Sequence, residues 1–214
     1  KVIHRVGNLK IGDTSGSTYF QLPTATGTSG QVLKVPSSGN TLEWGSAGAG
    51  VDFVQTGNDL LVGHSTAPVS SDGYNVALGD TALNSLNGGQ ENIAIGYNAG
   101  TSITSGNYNV TIGHNAGDSI TTASNNIAIG ANALASEDTA SSSIAIGSGA
   151  LQSQNGGLTN TAVGHTALYA VVSGDYNVAL GWNAGAYLIN ANKCTAIGTA
   201  TLQAEQTGDN NTAV

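Results

Sequence analysis

The sequence predicts an all-β fold, a parallel β-roll or β-helix solenoid of about nine 17-residue repeats. Three observations predict it: a glycine that recurs at a fixed interval, a short alternating apolar run before each glycine, and an asparagine before most runs. The glycines are separated once by 16 residues and then always by 17: Gly63, Gly79, Gly96, Gly113, Gly130, Gly147, Gly164, Gly181 and Gly198. A fixed period of this kind is typical of one structural unit stacked many times.

The composition limits the classes of protein to consider. Only 8% of the 214 residues are charged and 31 are glycine, but the regular Ile, Val and Leu supply the apolar surface that disordered chains lack. The net charge of −8, without a basic patch, argues against a nucleic-acid partner. No run of 18 apolar residues is present, so we expect no membrane insertion.

The chain divides into two predicted regions. Residues 1–50 are off the main period and contain short β-like runs at residues 9–11 and 31–35, so they form an amino-terminal β-rich connector module. Residues 51–214 form the β-roll shaft. Because the chain begins at Lys1 and stops one residue short of the next expected glycine, we expect the shaft to continue beyond Val214.

Each repeat contains one short strand that ends at the glycine. A branched aliphatic residue precedes each glycine, another apolar residue or Thr stands two positions earlier, and a small residue lies between them. This alternation predicts a β-strand with large side chains on one face and small ones on the other. The small residue is usually alanine: Ala77, Ala94, Ala128, Ala145, Ala162, Ala179 and Ala196.

The rest of each repeat predicts a second, looser strand around a weaker apolar position. That position holds Leu86, Ile103, Ile120, Val171 and Leu188. Glycine-rich turns at residues 87–89 and 105–107 close the coil, so that one repeat makes one full turn.

The asparagine before the strand predicts a ladder. Stacked turns place these side chains about 4.8 Å apart, and an amide that both donates and accepts can satisfy its neighbours. The alternative is that asparagine occurs there only because it tolerates the backbone conformation of a tight turn. The residues concerned are Asn75, Asn92, Asn109, Asn126, Asn160 and Asn177.

The alanine face leads to a hypothesis about assembly. Small residues on a repeated face permit the close approach of another backbone, so we expect these faces to meet between three chains around an axis. The alternative is that alanine fills a narrow interior within one chain.

The repeated phrase Asn-Ile-Ala-Ile-Gly-x-x-Ala, as at residues 92–99 and 126–133, resembles the head repeat of trimeric autotransporter adhesins. The resemblance covers residues 57–214. It implies a left-handed parallel β-roll built from a homotrimer, although the repeats of that family are shorter than those here.

The amino-terminal region resembles a short module common in bacteriophage tail-fibre and structural proteins. Residues 19–23, 27–33 and 42–45 carry this resemblance, with the letters YFQLP, GTSGQVL and LEWG. It implies an intertwined trimeric β-structure in a virion fibre, where Tyr19 and Trp44 are packing residues and other tail or baseplate proteins are neighbours.

The sequence shows no catalytic, cofactor or metal pattern. His64, His114 and His165 each follow a repeat glycine, three repeats apart, so about 14 Å separates neighbours and one ion cannot bridge them. Glu137 and Asp138 stand alone in one loop, where we expect them to be solvated. We therefore expect no enzyme, no cofactor and no metal site.

Three functions follow as expectations. The first is a structural virion fibre, a phage tail fibre that spaces or presents a host-receptor-binding surface. The alternatives are a polysaccharide-depolymerising tailspike and a cell-surface trimeric adhesin or ice-binding rod, which would place the chain on an extracellular cell surface. Any host glycan or protein should contact the exposed candidates Tyr97, His114, Trp182 and Tyr187.

Overall fold

A computed structural model of the chain describes residues 73–204 and 207–214, together with the backbone of six short strands between residues 9 and 62. The all-β parallel solenoid predicted from the sequence is confirmed, and the described residues contain no helix. The strands before the regular repeats are β1 (Leu9–Lys10), β2 (Tyr19–Phe20), β3 (Gln31–Lys34), β4 (Glu43–Ser46), β5 (Phe53–Thr56) and β6 (Asp59–Val62). The following strands are β7 (Val76–Leu78), β8 (Ile93–Ile95), β9 (Val110–Ile112), β10 (Ile127–Ile129), β11 (Ile144–Ile146), β12 (Thr161–Val163), β13 (Val178–Leu180), β14 (Thr195–Ile197) and β15 (Thr212–Ala213).

One sheet runs the length of the repeats. Its strands are ordered from β15 to β5 without a crossover, and all neighbours from β6 to β15 are parallel. Strand β5 pairs antiparallel with β6 and so forms a hairpin at the start of the sheet. Ile95 pairs with Ile112, so each repeat adds one rung in exact register with the last.

Two smaller antiparallel pairs lie in the predicted amino-terminal module. Strand β1 pairs with β2, and β3 pairs with β4. The short β-like runs at residues 9–11 and 31–35 are therefore confirmed as containing strands. The module boundary at residue 50 stays a prediction, and the packing predicted for Tyr19 and Trp44 concerns side chains outside the described residues.

The orientation of the strands corrects the assembly hypothesis. The central alanines, such as Ala94 and Ala128, are completely buried within their own chain. The hypothesis that an alanine face meets another chain is therefore wrong, and the alternative of a narrow interior is confirmed. The aliphatics on either side point outward and remain partly exposed: Leu78 44%, Ile93 38%, Ile146 37%, Val178 41%, Leu180 49% and Ile197 37%.

The large core side chains come from the turn after each glycine, not from a strand. Leu86 N–H donates to Leu83 C=O at 3.1 Å, and Ile103 N–H donates to Gly100 C=O at 3.0 Å. Backbone φ is positive at Leu83 and at its equivalents, which prevents an extended strand. The predicted second strand is therefore wrong in the described repeats. Its apolar residues instead fill the core opposite the alanines.

The predicted asparagine ladder is confirmed. Asn75 Oδ1 accepts both the backbone N–H of Asn92 at 2.8 Å and its amide Nδ2 at 3.1 Å. The Asn92 Nδ2 also donates to Gly106 C=O at 2.8 Å, 14 residues further along the chain. Each ladder asparagine thus ties its strand start to a neighbouring rung and to a closing turn, and it satisfies polar groups that are cut off from water.

The close approach of successive rungs makes the repeat glycines sensitive to substitution. We expect Gly130→Ala to lower the free energy of unfolding by at least about 3 kcal/mol. The added methyl group would stand 2.6 Å from the carbonyl carbon and oxygen of Gly147, at a φ of +131°. Chemical unfolding at a fixed chain concentration measures the loss.

The matched control is Gly88→Ala. An added methyl group at Gly88 meets nothing within 4 Å, and φ is +87°. Only backbone strain remains there, which costs roughly 1–2 kcal/mol. Equal losses for the two variants would contradict the close-contact explanation.

Removing one amide from the ladder should also destabilise the chain. Asn126 Oδ1 accepts the Ser143 N–H at 2.9 Å, and its Nδ2 donates to Ala140 C=O at 3.0 Å. Asn126→Ala leaves both groups buried without a partner, so we expect a loss of about 2–4 kcal/mol in chemical unfolding. Asn190→Ala, at an exposed site, should change stability by no more than about 0.5 kcal/mol.

Candidate functional site

The most unusual surface of the described solenoid is an apolar one. We name it the outer face: the two columns of aliphatic side chains that start at Val76 and Leu78 and repeat every 17 residues along the sheet. Because these residues alternate with the buried alanines, they cannot enter the core of their own chain. The column that begins at Leu78 stays aliphatic throughout, whereas the column that begins at Val76 becomes Thr at Thr161, Thr195 and Thr212.

Three of the four candidate binding residues lie at one flank of the outer face. Tyr97, His114 and Trp182 each follow a repeat glycine, and each is exposed as expected. The Tyr97 and His114 rings are stacked, with centroids 5.5 Å apart and 20° between their planes. Trp182 lies four repeats beyond His114, and the half-exposed Tyr187 lies in the following turn, outside this flank. The structure thus brings together only one pair of the four.

The opposite flank carries aromatic residues that the sequence reasoning missed. Tyr74, Tyr108 and Tyr176 occupy one column and are all more than half exposed. Their φ angles lie between 54° and 59°, in the left-handed region that tyrosine rarely adopts. The available signal was the recurring Tyr-Asn pair, in which each tyrosine directly precedes a ladder asparagine.

The described histidines do not form a metal site within one chain. His114 and His165 are exposed and lie three repeats apart, and His64 falls outside the described residues. In the described part of the chain, no group of three or more His, Cys, Asp or Glu side chains could hold a metal ion.

Glu137 is completely buried, so the expectation that it is solvated is wrong. Its Oε1 accepts the backbone N–H groups of Thr139 at 3.1 Å and Ala140 at 2.5 Å. Its Oε2 accepts Gln154 Nε2 at 3.0 Å. The neighbouring Asp138 is partly exposed. The carboxylate of Glu137 is therefore a structural acceptor inside the core.

Gln154 extends this polar cluster into the asparagine ladder. The ladder is interrupted at Ser143, whose short side chain cannot reach the next rung. Gln154 Nε2 donates to Ser143 Oγ at 2.9 Å, and Asn160 Nδ2 donates to Gln154 Oε1 at 2.9 Å. Glu137 and Gln154 occupy the core column that holds leucine, isoleucine or valine in other described repeats, so two adjacent rungs replace apolar packing with hydrogen bonds.

Burial raises the pKa of the Asp118 carboxyl, against the lowering effect of its own backbone N–H, the His114 ring and the Ser119 N–H. Its Oδ1 is buried without a hydrogen-bond partner in the described structure.

Cys194 occupies an asparagine position of the ladder. It is fully buried as a small packed residue, and its Sγ lies 3.1 Å from Gly208 C=O.

No protein-family model, no curated protein and no solved structure matches this chain. Among the described residues, no helix is long and apolar enough to cross a membrane.

The buried Glu137 predicts a measurable stability effect. Glu137→Ala removes the acceptor of buried amides and the partner of Gln154, so we expect a loss of about 2–4 kcal/mol in the free energy of unfolding. The control Glu91→Ala changes an exposed carboxylate and should stay within about 0.5 kcal/mol of the parent chain. Equal unfolding midpoints for the two variants would show that the cluster contributes nothing.

Proposed function

We propose that this chain is a shaft section of a structural fibre of a virion, a phage tail fibre, that assembles as a homotrimer through the outer face. In this role it spaces or presents a surface that binds the host receptor, and it contacts other tail or baseplate proteins. The observation that supports the proposal is the partly exposed, largely aliphatic outer face, which lies outside an already filled core.

The outer face supports self-association because its aliphatic side chains stay partly exposed along the described repeats. Contiguous exposed apolar patches are uncommon on monomeric proteins and typically mark interaction surfaces. Both aliphatic columns run parallel to the stacking direction at one rung spacing, about 4.8 Å. A second copy with the same spacing can therefore match the face rung for rung, which a partner of another fold could not do over the same length.

The resemblances support three copies and a virion. The repeats resemble those of a trimeric adhesin head, and the amino-terminal residues resemble a phage fibre module. A solenoid of this kind is equally compatible with a tailspike or with a cell-surface adhesin, so the support for a fibre comes from the amino-terminal resemblance. Nine rungs at about 4.8 Å give a shaft of roughly 43 Å, which suits a spacer.

Sedimentation of the full chain tests the proposal. We expect a mass three times the 21.2 kDa of one chain at micromolar concentration. Ile146→Lys places a charge in the outer face and should reduce the mass to that of a monomer. Tyr187→Lys, at a similarly exposed site outside that face, should leave the trimer intact. A monomeric parent chain would overturn the trimer.

A further inference from the structure

We propose that the last three described rungs form a binding groove for a neutral oligosaccharide. The groove has a volume of about 370 Å³. It is lined by Asp175, Tyr176, Asn192, Lys193, Asp209 and Asn210. This inference deepens the proposed function by naming a ligand class. It rests on that function only for its biological role, because one chain supplies the whole groove.

The register of the solenoid builds the groove from two adjacent columns. The first column holds three residues spaced 17 positions apart, which lie one above another: Asp175, Asn192 and Asp209. Each of them stands two positions before a residue of the ladder column. The second column holds an aromatic, a cationic and an amide side chain on the same three rungs. The groove therefore follows the stacking direction and suits an extended ligand.

The acidic and amide side chains are held in place before any ligand arrives. Asp175 Oδ1 accepts the Leu158 N–H at 2.7 Å, and Asn192 Oδ1 accepts the Asp175 N–H at 2.8 Å. Asp209 Oδ1 accepts both the backbone N–H and the amide of Asn192, at 2.8 and 3.1 Å. Because these rotamers are already fixed, ligand binding loses less side-chain conformational entropy. The second oxygen of each carboxylate makes no hydrogen bond within the described residues.

The chemistry of the lining favours a neutral sugar over an ion or a polyanion. Two rungs separate the carboxylates, about 10 Å, whereas metal–oxygen bonds are about 2–2.6 Å long, so one cation cannot bridge them. Two carboxylates against one ammonium repel a polyanion. Free carboxylate oxygens accept hydroxyl hydrogens, while the Asn210 amide and Lys193 donate to hydroxyl oxygens. The exposed Tyr176 ring offers an aromatic face to the C–H side of a sugar.

The location leaves the groove accessible beside the proposed trimer contact. At these rungs the neighbouring column of the outer face reads Val178, Thr195 and Thr212, so it is more polar than the isoleucines earlier in the same column. A polar flank is less suited to burial against another copy. Equivalent positions around Tyr108 carry Asn107, Ser124 and Asn125 and provide neither carboxylate nor ammonium.

Affinity electrophoresis of the full chain tests the groove. Native gels contain dextran, mannan or galactan as neutral probes and alginate as an acidic one. We expect retardation by at least one neutral polymer and none by alginate. Tyr176→Asn and Asp209→Asn should each weaken the interaction about tenfold or more. Asparagine tolerates the left-handed backbone at position 176 and can keep the acceptor at position 209.

The matched control is Tyr108→Asn, which changes a tyrosine of equal exposure in the same column and should leave retardation unchanged. The absence of retardation by all three neutral polymers, retardation by alginate, or an equal loss in Tyr108→Asn would each overturn the groove. Shortening of a neutral polymer during incubation would also overturn a binding role and favour the tailspike alternative.

Sedimentation of the same samples separates the two proposals. A Tyr176→Asn chain that remains trimeric but loses retardation supports both. A monomeric parent chain that is still retarded overturns the trimer and supports the groove.

Discussion

The whole structure depends on backbone hydrogen bonding between residues one repeat apart. From β7 to β15, each strand pairs in parallel with the strand 17 residues later. The turn residues also bond to the next rung, as when Gly100 N–H donates to Ala116 C=O at 2.9 Å. This pairing fixes the rung spacing at about 4.8 Å. The residue pattern follows from that spacing. Glycine is needed where the backbones of two rungs come close, alanine where the strand faces a narrow interior, and asparagine where polar groups are buried.

The sequence was sufficient for the features that depend on period and alternation. The rung length, the strand position, the register of Ile95 with Ile112 and the asparagine ladder all follow from residues that recur at fixed spacing. The direction of the strand faces did not follow. Alternation says that alanine and isoleucine lie on opposite faces, but the choice of inner face depends on which side already holds the leucines of the turn.

The other errors share a physical cause. The second strand was predicted from an apolar position, but Leu83 has a left-handed backbone, which only local φ reveals. Glu137 reads as a loop carboxylate because two of its partners, Gln154 and Gly156, lie about one repeat away and are not apparent from the local sequence. The candidate site shows the same dependence on distant residues. The rings of Tyr97 and His114 stack because the two residues are 17 positions apart, and the groove around Tyr176 is formed by residues of three rungs.

Exact register between rungs has a consequence for the length of the rod. Because each repeat pairs only with its neighbours, the gain or loss of one 17-residue unit changes the reach by about 4.8 Å and leaves every lateral column continuous. A pairing that slipped by one residue would instead exchange the inner and outer side chains of a strand and break the outer face. Recombination between repeats of the same pattern is thus a route by which such a rod can be lengthened or shortened while its lateral columns are kept.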